Sequence, residues 1–206
     1  FIQFCDNVCA QVLAKQPPDL VALMDLPMSG SDSTTIDQSR RALIARIGEN
    51  ISIRRFVFMK AATGIIGAYS HGSRIGVLVD LEGGDSELGK DLAMHIAASN
   101  PQFTTSNDVA SDVIDKEREI FAAQARKSGK PDDIIEKMIG GRINKFINEI
   151  TLYGQPFVKD SDMSVEKLLK SANASAKSFH RFEVGEGIDK KEENFVEEVM
   201  AQVRGD

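Results

Sequence analysis

Three stretches predict an α+β protein with a projecting helical hairpin. Between Tyr69 and Pro101, Ile75, Val77, Val79 and Leu81 alternate with Arg74, Gly76, Leu78 and Asp80, the period-two pattern of a strand with one buried face. Glu82-Gly83-Gly84 breaks that strand, and Leu88, Leu92 and Ile96 then recur at helical spacing until Asn100-Pro101. Further on, two long amphipathic segments joined by Ser128-Gly-Lys-Pro read as helices that fold back on each other, projecting into solvent as an antiparallel coiled coil.

In chain order, Phe1 to Ala14 reads as a helix with Phe4, Val8 and Val12 on one stripe, stopped by Pro17-Pro18. Residues 19–34 contain Pro27 and the polar run 29–34, which reads as a surface loop. Ile36 to Ile47 is helical, with Leu43 and Ile47 on one face, and Gly48 terminates it. Ile51 to Met59 alternates as a strand, and Ala61 to Gly67 is a small-residue connection. In the central helix Asp85 or Ser86 supplies the cap and Glu87 suits the positive end of the dipole.

After Ser106 the first arm helix carries Val109, Val113, Ile120 and Gln124 on one seam, with Ile114, Phe121 and Ala125 beside it. The second starts at Pro131, places Asp132 and Asp133 in its first turn, and carries Ile135, Met138, Ile139, Ile143, Phe146 and Ile150. Ile150 to Tyr153 returns to sheet, followed by a turn at Gly154 and by Gln155 to Val158. A short helix capped near Ser164, a strand from Phe179 to Val184 and a charged helix from Asp189 to Arg204 complete the chain, the last with Phe195, Val196 and Val199 on one face.

Length and charge narrow the function. A chain of 206 residues holds one large domain or two small ones. Its 25 basic against 31 acidic residues leave a net charge of −6, which argues against a nucleic-acid face. No run is long and apolar enough to span a membrane, and Phe1 opens no signal-peptide pattern, so a cytoplasmic protein is expected. Cys5 and Cys9, the only cysteines, read as a buried reduced pair.

The most prominent motif is a false lead. Residues 84–91, Gly-Asp-Ser-Glu-Leu-Gly-Lys-Asp, approach a phosphate-binding P-loop after an apolar strand and at a helix start. A P-loop needs Ser or Thr where Asp91 stands, and Asp85 and Glu87 repel phosphate. A capped helix with Gly89 and Lys90 in place by chance is the simpler reading. His71, His95 and His180 are the only histidines and lack metal-ligand spacing, so each reads as structural or interfacial. Neither a catalytic group nor a cofactor site is expected.

Five segments carry a resemblance: HGSRIGVLV (71–79), MHIAASNPQF (94–103), SGKPDDIIEKMIGGRINKF (128–146), GQPFV (154–158) and FHRFEVGEGI (179–188). Colinear from about Ile44 to Ile188, they resemble the bacterial elongation factor Ts family. The resemblance implies a guanine-nucleotide exchange factor for the GTPase elongation factor Tu, acting in protein biosynthesis without an active site of its own. It also implies two antiparallel-sheet subdomains related by a pseudo-repeat. Here these would be a remainder of the N-terminal one in 1–66 and a C-terminal one in 67–105 and 148–187. The coiled-coil insertion would be 106–147 and the C-terminal helical module 188–206.

Compared with that family, the chain lacks an N-terminal ubiquitin-associated-like module and the Thr-Asp-Phe-Val wedge segment that would precede Phe1. An N-terminally truncated form is therefore expected; if these 206 residues were the whole protein, they should bind the GTPase yet accelerate release poorly. The partner-facing residues implied are Ile47 and Gly48, His71 and Gly72, Met94 and His95, Phe157 and Val158, and, in the last helix, Phe195 and Val199. No direct nucleotide, nucleic-acid or membrane binding is implied. Two other functions suit parts of the sequence: a P-loop-like nucleotide-binding protein, resting on Gly84 to Lys90, and a structural adaptor binding through the coiled-coil arm.

Overall fold

A computed structural model describes residues 1–29, 34–61, 63–127 and 129–187. It forms two compact units, Phe1–Ala62 and Thr63–Asp206, each with its own apolar core. Together they give the expected mixture of helices and antiparallel sheet.

The first unit is helical. Helix α1 (Ile2–Lys15) turns Phe4, Val8 and Val12 inward, as their spacing predicts. Cys5 and Cys9 each lie one residue further round the helix, so they fall off that stripe. Cys5 is half-buried, Cys9 is exposed and both are free, which corrects the expected buried pair. Residues 19–34 are not all loop: Leu20–Asp25 forms a helix, α2, whose first turn is capped by the Asp19 carboxylate accepting from the Ala22 N–H at 2.8 Å. Its Leu23 is fully buried.

Helix α3 (Ile36–Ile47) has the expected bounds. Thr35 and Gln38 form a reciprocal capping box at its start, and Gly48 ends it in the left-handed region at φ 76°. The strand expected over Ile51–Met59 is absent. Ile51, Ile53, Phe56 and Phe58 instead pack on the helical core as irregular chain, held by burial where no neighbouring strand is present among the described residues.

In the second unit β1 (Ile65–His71), β2 (Ile75–Glu82) and β5 (Ser175–Glu183) form an antiparallel sheet in the order β1-β2-β5. Strand β1 replaces the expected small-residue connection at Ala61–Gly67, and β5 begins four residues before the expected Phe179. Val77, Val79 and Leu81 point to the buried face, where α4 (Ser86–Ser99) crosses β1 and β2. That crossing depends on two glycines. A Cβ on Gly67 would lie 2.3 Å from the Gly89 carbonyl oxygen, so strand and helix approach backbone to backbone. Gly89 is therefore a packing residue, not a chance occurrence.

A single 3-10 turn at Ser106–Asp108 precedes the hairpin of α5 (Ser111–Arg126) and α6 (Asp132–Ile150). The first arm helix thus starts five residues after the expected Ser106, and Val109 is buried outside it. Ile114, Phe121, Ala122 and Ala125 form the seam with Ile135, Ile139 and Ile143, whereas Ile120 is exposed. The stripe read as flanking is the one that packs.

The strand expected at Ile150–Tyr153 reduces to one isolated bridge, Phe103 to Thr151. Strands β3 (Pro156–Phe157) and β4 (Asp160–Ser164) form a second, two-stranded sheet. It leads into α7 (Val165–Ser171), capped by Ser164 as expected. Leu152, Phe157, Val165 and Leu169 close the core beneath α4.

Candidate partner-binding face

The expected partner-facing residues divide into exposed side chains at turns and buried ones beneath them. In the first unit Ile47 ends α3 with 44% of its surface exposed, large for an isoleucine, and Gly48 follows in its capping turn. In the second unit His71 and Gly72 make the β1–β2 turn. Gly72 has φ 55°, and a Cβ there would touch nothing within 4 Å, so backbone conformation, not space, favours glycine. His71 is exposed, its Nδ1 lying 3.2 Å from the Tyr69 hydroxyl.

The C-terminal half of α4 lies at the same end of the sheet as this turn. Arg181, opposite Val77 in the β2–β5 register, donates from Nε to the Ala97 carbonyl at 3.3 Å and pairs with Glu183 at 2.9 Å. Met94 is half-buried on that helix.

Val158 sits in the two-residue connection between Phe157 and Asp160, 47% exposed. Asp91, His95 and Ser99, spaced at i, i+4 and i+8 along α4, face this connection and its supports. The Val158 N–H donates to His95 Nδ1 at 3.2 Å, and Lys159 Nζ pairs with Asp91 at 2.6 Å. His95 Nε2 meets Gln155 Oε1 at 3.0 Å, while Gln155 Nε2 donates to the Glu149 carbonyl at 2.7 Å. The Phe157 ring lies 5.8 Å from the imidazole. Burial is the main cause that pushes the His95 pKa below its ordinary value, opposed by the Gln155 bond, so the ring is neutral at pH 7.

These positions correct two expectations. His95 is fully buried and Phe157 is 6% exposed, so neither presents its side chain at a surface. Both lie beneath Val158. Phe195 and Val199, with the helix expected over Asp189–Arg204, lie outside the described residues. Gln155 escaped the sequence reading because its polar side chain is drawn inward by His95, sixty residues away, as well as by the Glu149 carbonyl. Its one local signal is a glutamine between the turn glycine Gly154 and Pro156 in an otherwise apolar run.

The P-loop alternative finds no support in this geometry. The first turn of α4 already holds a carboxylate, Asp85 accepting from the Leu88 N–H at 2.9 Å, and Asp91 is paired with Lys159. Among the described residues no helix is long and apolar enough to cross a membrane, and no cluster of three or more His, Cys, Asp or Glu could hold a metal ion.

Sequence comparison supplies the family. The profile described as Elongation factor TS matches residues 1–186. The chain is 55% identical over 206 residues to Elongation factor Ts of Thioalkalivibrio sulfidiphilus, covering all of this chain and 69% of that protein. It is 57% identical over 204 residues to Elongation factor Ts of Methylococcus capsulatus and 54% over 205 residues to that of Alkalilimnicola ehrlichii. Those matches cover 99% and 100% of this chain respectively, and 69% of each relative. With half or more of its residues identical to proteins of that name from end to end, the chain belongs to the elongation factor Ts family.

Proposed function

We propose that this chain binds the GTPase elongation factor Tu and promotes release of GDP, so that GTP can rebind during translation elongation in the cytoplasm. The family match across residues 1–186 carries this reading. Exposed apolar side chains on firm supports agree with it, because interfaces concentrate their affinity in a few such anchors. Ile47 with Gly48, His71 with Gly72, Met94 and Val158 form the contacts, and His95 and Phe157 support Val158 from beneath.

Exchange by this route needs binding, not bond chemistry. A factor that holds the nucleotide-free GTPase more tightly than the loaded form weakens nucleotide binding by the same ratio. A factor with equal affinity for both forms shifts nothing. The α5–α6 hairpin acts as a coiled-coil arm with its own seam, the helical unit Phe1–Ala62 as an N-terminal subdomain, and the sheet body from Thr63, outside the hairpin, as the C-terminal one.

The deciding measurement pairs two quantities. Affinity for nucleotide-free elongation factor Tu should exceed that for the GDP-loaded form, and labelled GDP should leave faster as the chain approaches saturation. Equal affinities with unchanged release would leave a structural adaptor as the better description.

A further inference from the structure

We propose that His95 is the positioning residue for Val158: its Nδ1 lone pair holds the Val158 backbone N–H, and its Nε2–H is anchored on Gln155. This rests on the reading of Val158 as a partner contact and assigns the group that fixes it.

The argument begins with the turn. Val158 and Lys159 connect Phe157 to Asp160 as a two-residue hairpin loop. Such loops favour Gly, Asn or Asp, because the turns that match strand twist need positive φ at one or both central residues. Neither residue here is of that kind. Among the described non-glycine residues only Gln16, Asn100 and Asn173 have positive φ, so this turn is not one of the favoured forms. Its conformation needs outside support, and both loop residues receive it from α4. Val158 N–H reaches His95 Nδ1, and Lys159 Nζ reaches Asp91.

Hydrogen-bond roles then fix the tautomer. A backbone N–H can only donate, so Nδ1 must carry a lone pair. The Gln155 amide nitrogen donates to the Glu149 carbonyl and, at 3.5 Å, to the Ser99 carbonyl, which leaves Oε1 turned to the ring as an acceptor. Nε2 must therefore carry the hydrogen. The imidazole is thus a neutral strut with one end on the end of α6 through Gln155 and the other on the exposed turn. Burial, which disfavours the charged ring, supports the same state. A group that merely filled the core would need neither bond.

The test uses the whole chain. Nitrogen-15 spectra of its histidines at neutral pH should show His95 as the Nε2–H tautomer; an Nδ1–H tautomer or a charged ring overturns the assignment. His95→Asn places an acceptor near the Nδ1 position, whereas His95→Gln reaches only toward the Nε2 position. Exchange of the Val158 amide with solvent should therefore rise at least about tenfold in H95Q and stay near the native rate in H95N. Binding to elongation factor Tu should follow, weaker by about tenfold in H95Q and little changed in H95N. Equal behaviour of the two variants overturns the proposal. Should H95Q fail to fold, the native tautomer and H95N decide alone. Val158→Asp separates the premise from the inference: native affinity in that variant, with the exchange pattern intact, would remove Val158 from the interface and confine His95 to shaping the turn.

Discussion

The sheet body and the helical hairpin of the second unit are held by different kinds of core. The hairpin seam draws Ile114, Phe121, Ala122 and Ala125 against Ile135, Ile139, Ile143 and Ile147, residues joined through one short connection. The body core gathers Val77, Leu92, Leu152, Phe157, Leu169 and Ala176 from segments about a hundred residues apart. The first is stabilised by contacts that close early and cheaply, the second by contacts that repay their loop-closure entropy only when the sheet, α4 and the β3–β4 turn meet. Glycine use follows the same division. Gly67 and Gly89 are forced by a backbone contact, whereas a Cβ at Gly140 or Gly141 in α6 would meet nothing within 4 Å.

The largest effect expected from disturbing this contrast is at Leu92, fully buried at the centre of the body. Leu92→Ala should cost about 3 kcal/mol in urea unfolding, through lost transfer energy and the cavity left behind. A loss below about 1 kcal/mol would mean that the body closes around the gap and is looser than described.

Gly67→Ala comes next. The added methyl meets the Gly89 carbonyl, which a flexible side chain cannot relieve, so α4 must shift from the sheet at about 2 kcal/mol. Gly140→Ala in the hairpin should do the opposite, stabilising α6 by about 0.5–1 kcal/mol because glycine is a poor helix former. Thermal unfolding of the two variants gives the signs directly, and a matching sign would erase the contrast.

Acid should weaken the body through His95. Its folded pKa lies below the ordinary 6.5, chiefly through burial, so the unfolded chain binds the proton more readily. The stability this group contributes is complete above pH 6.5 and is lost as pH falls from there through the folded value. Carboxylates also respond to acid; Asp37 and Glu82 are held below their ordinary range, chiefly by hydrogen bonds from Arg40 and Lys177 respectively. The difference between native chain and H95N isolates the histidine. Urea midpoints compared from neutral to mildly acidic pH should converge as pH falls, and parallel curves would show that His95 titrates alike folded and unfolded.

The smallest effect concerns the hairpin as a whole. Replacing residues 111–146 with a short linker should leave cooperative unfolding of the body within about 1 kcal/mol of native, since loop length at an exposed boundary changes closure entropy only slowly. Loss of a single cooperative transition would make the hairpin part of the body's core.

Local chemistry made the caps and the helix stripes legible. Asp85 and Ser164 accept from backbone N–H groups three residues on, and Phe4, Val8 and Val12 face one core, because both effects act within a helical turn. The resemblance that placed His71 and Val158 was likewise carried by contiguous motifs. Strand identity was harder to read. Ile51–Met59 alternates yet finds no ladder, and Ile65–His71 reads as a connector yet forms β1, because a strand exists only where another strand supplies its hydrogen bonds. Choosing between two plausible stripes on α5 likewise needed the partner helix. The same dependence hid the function of His95 and Gln155. Sixty residues apart, they become one support only when α4 packs against the β3–β4 turn, and the hydrogen bonds made there decide both which ring nitrogen carries the proton and the direction in which Val158 is held.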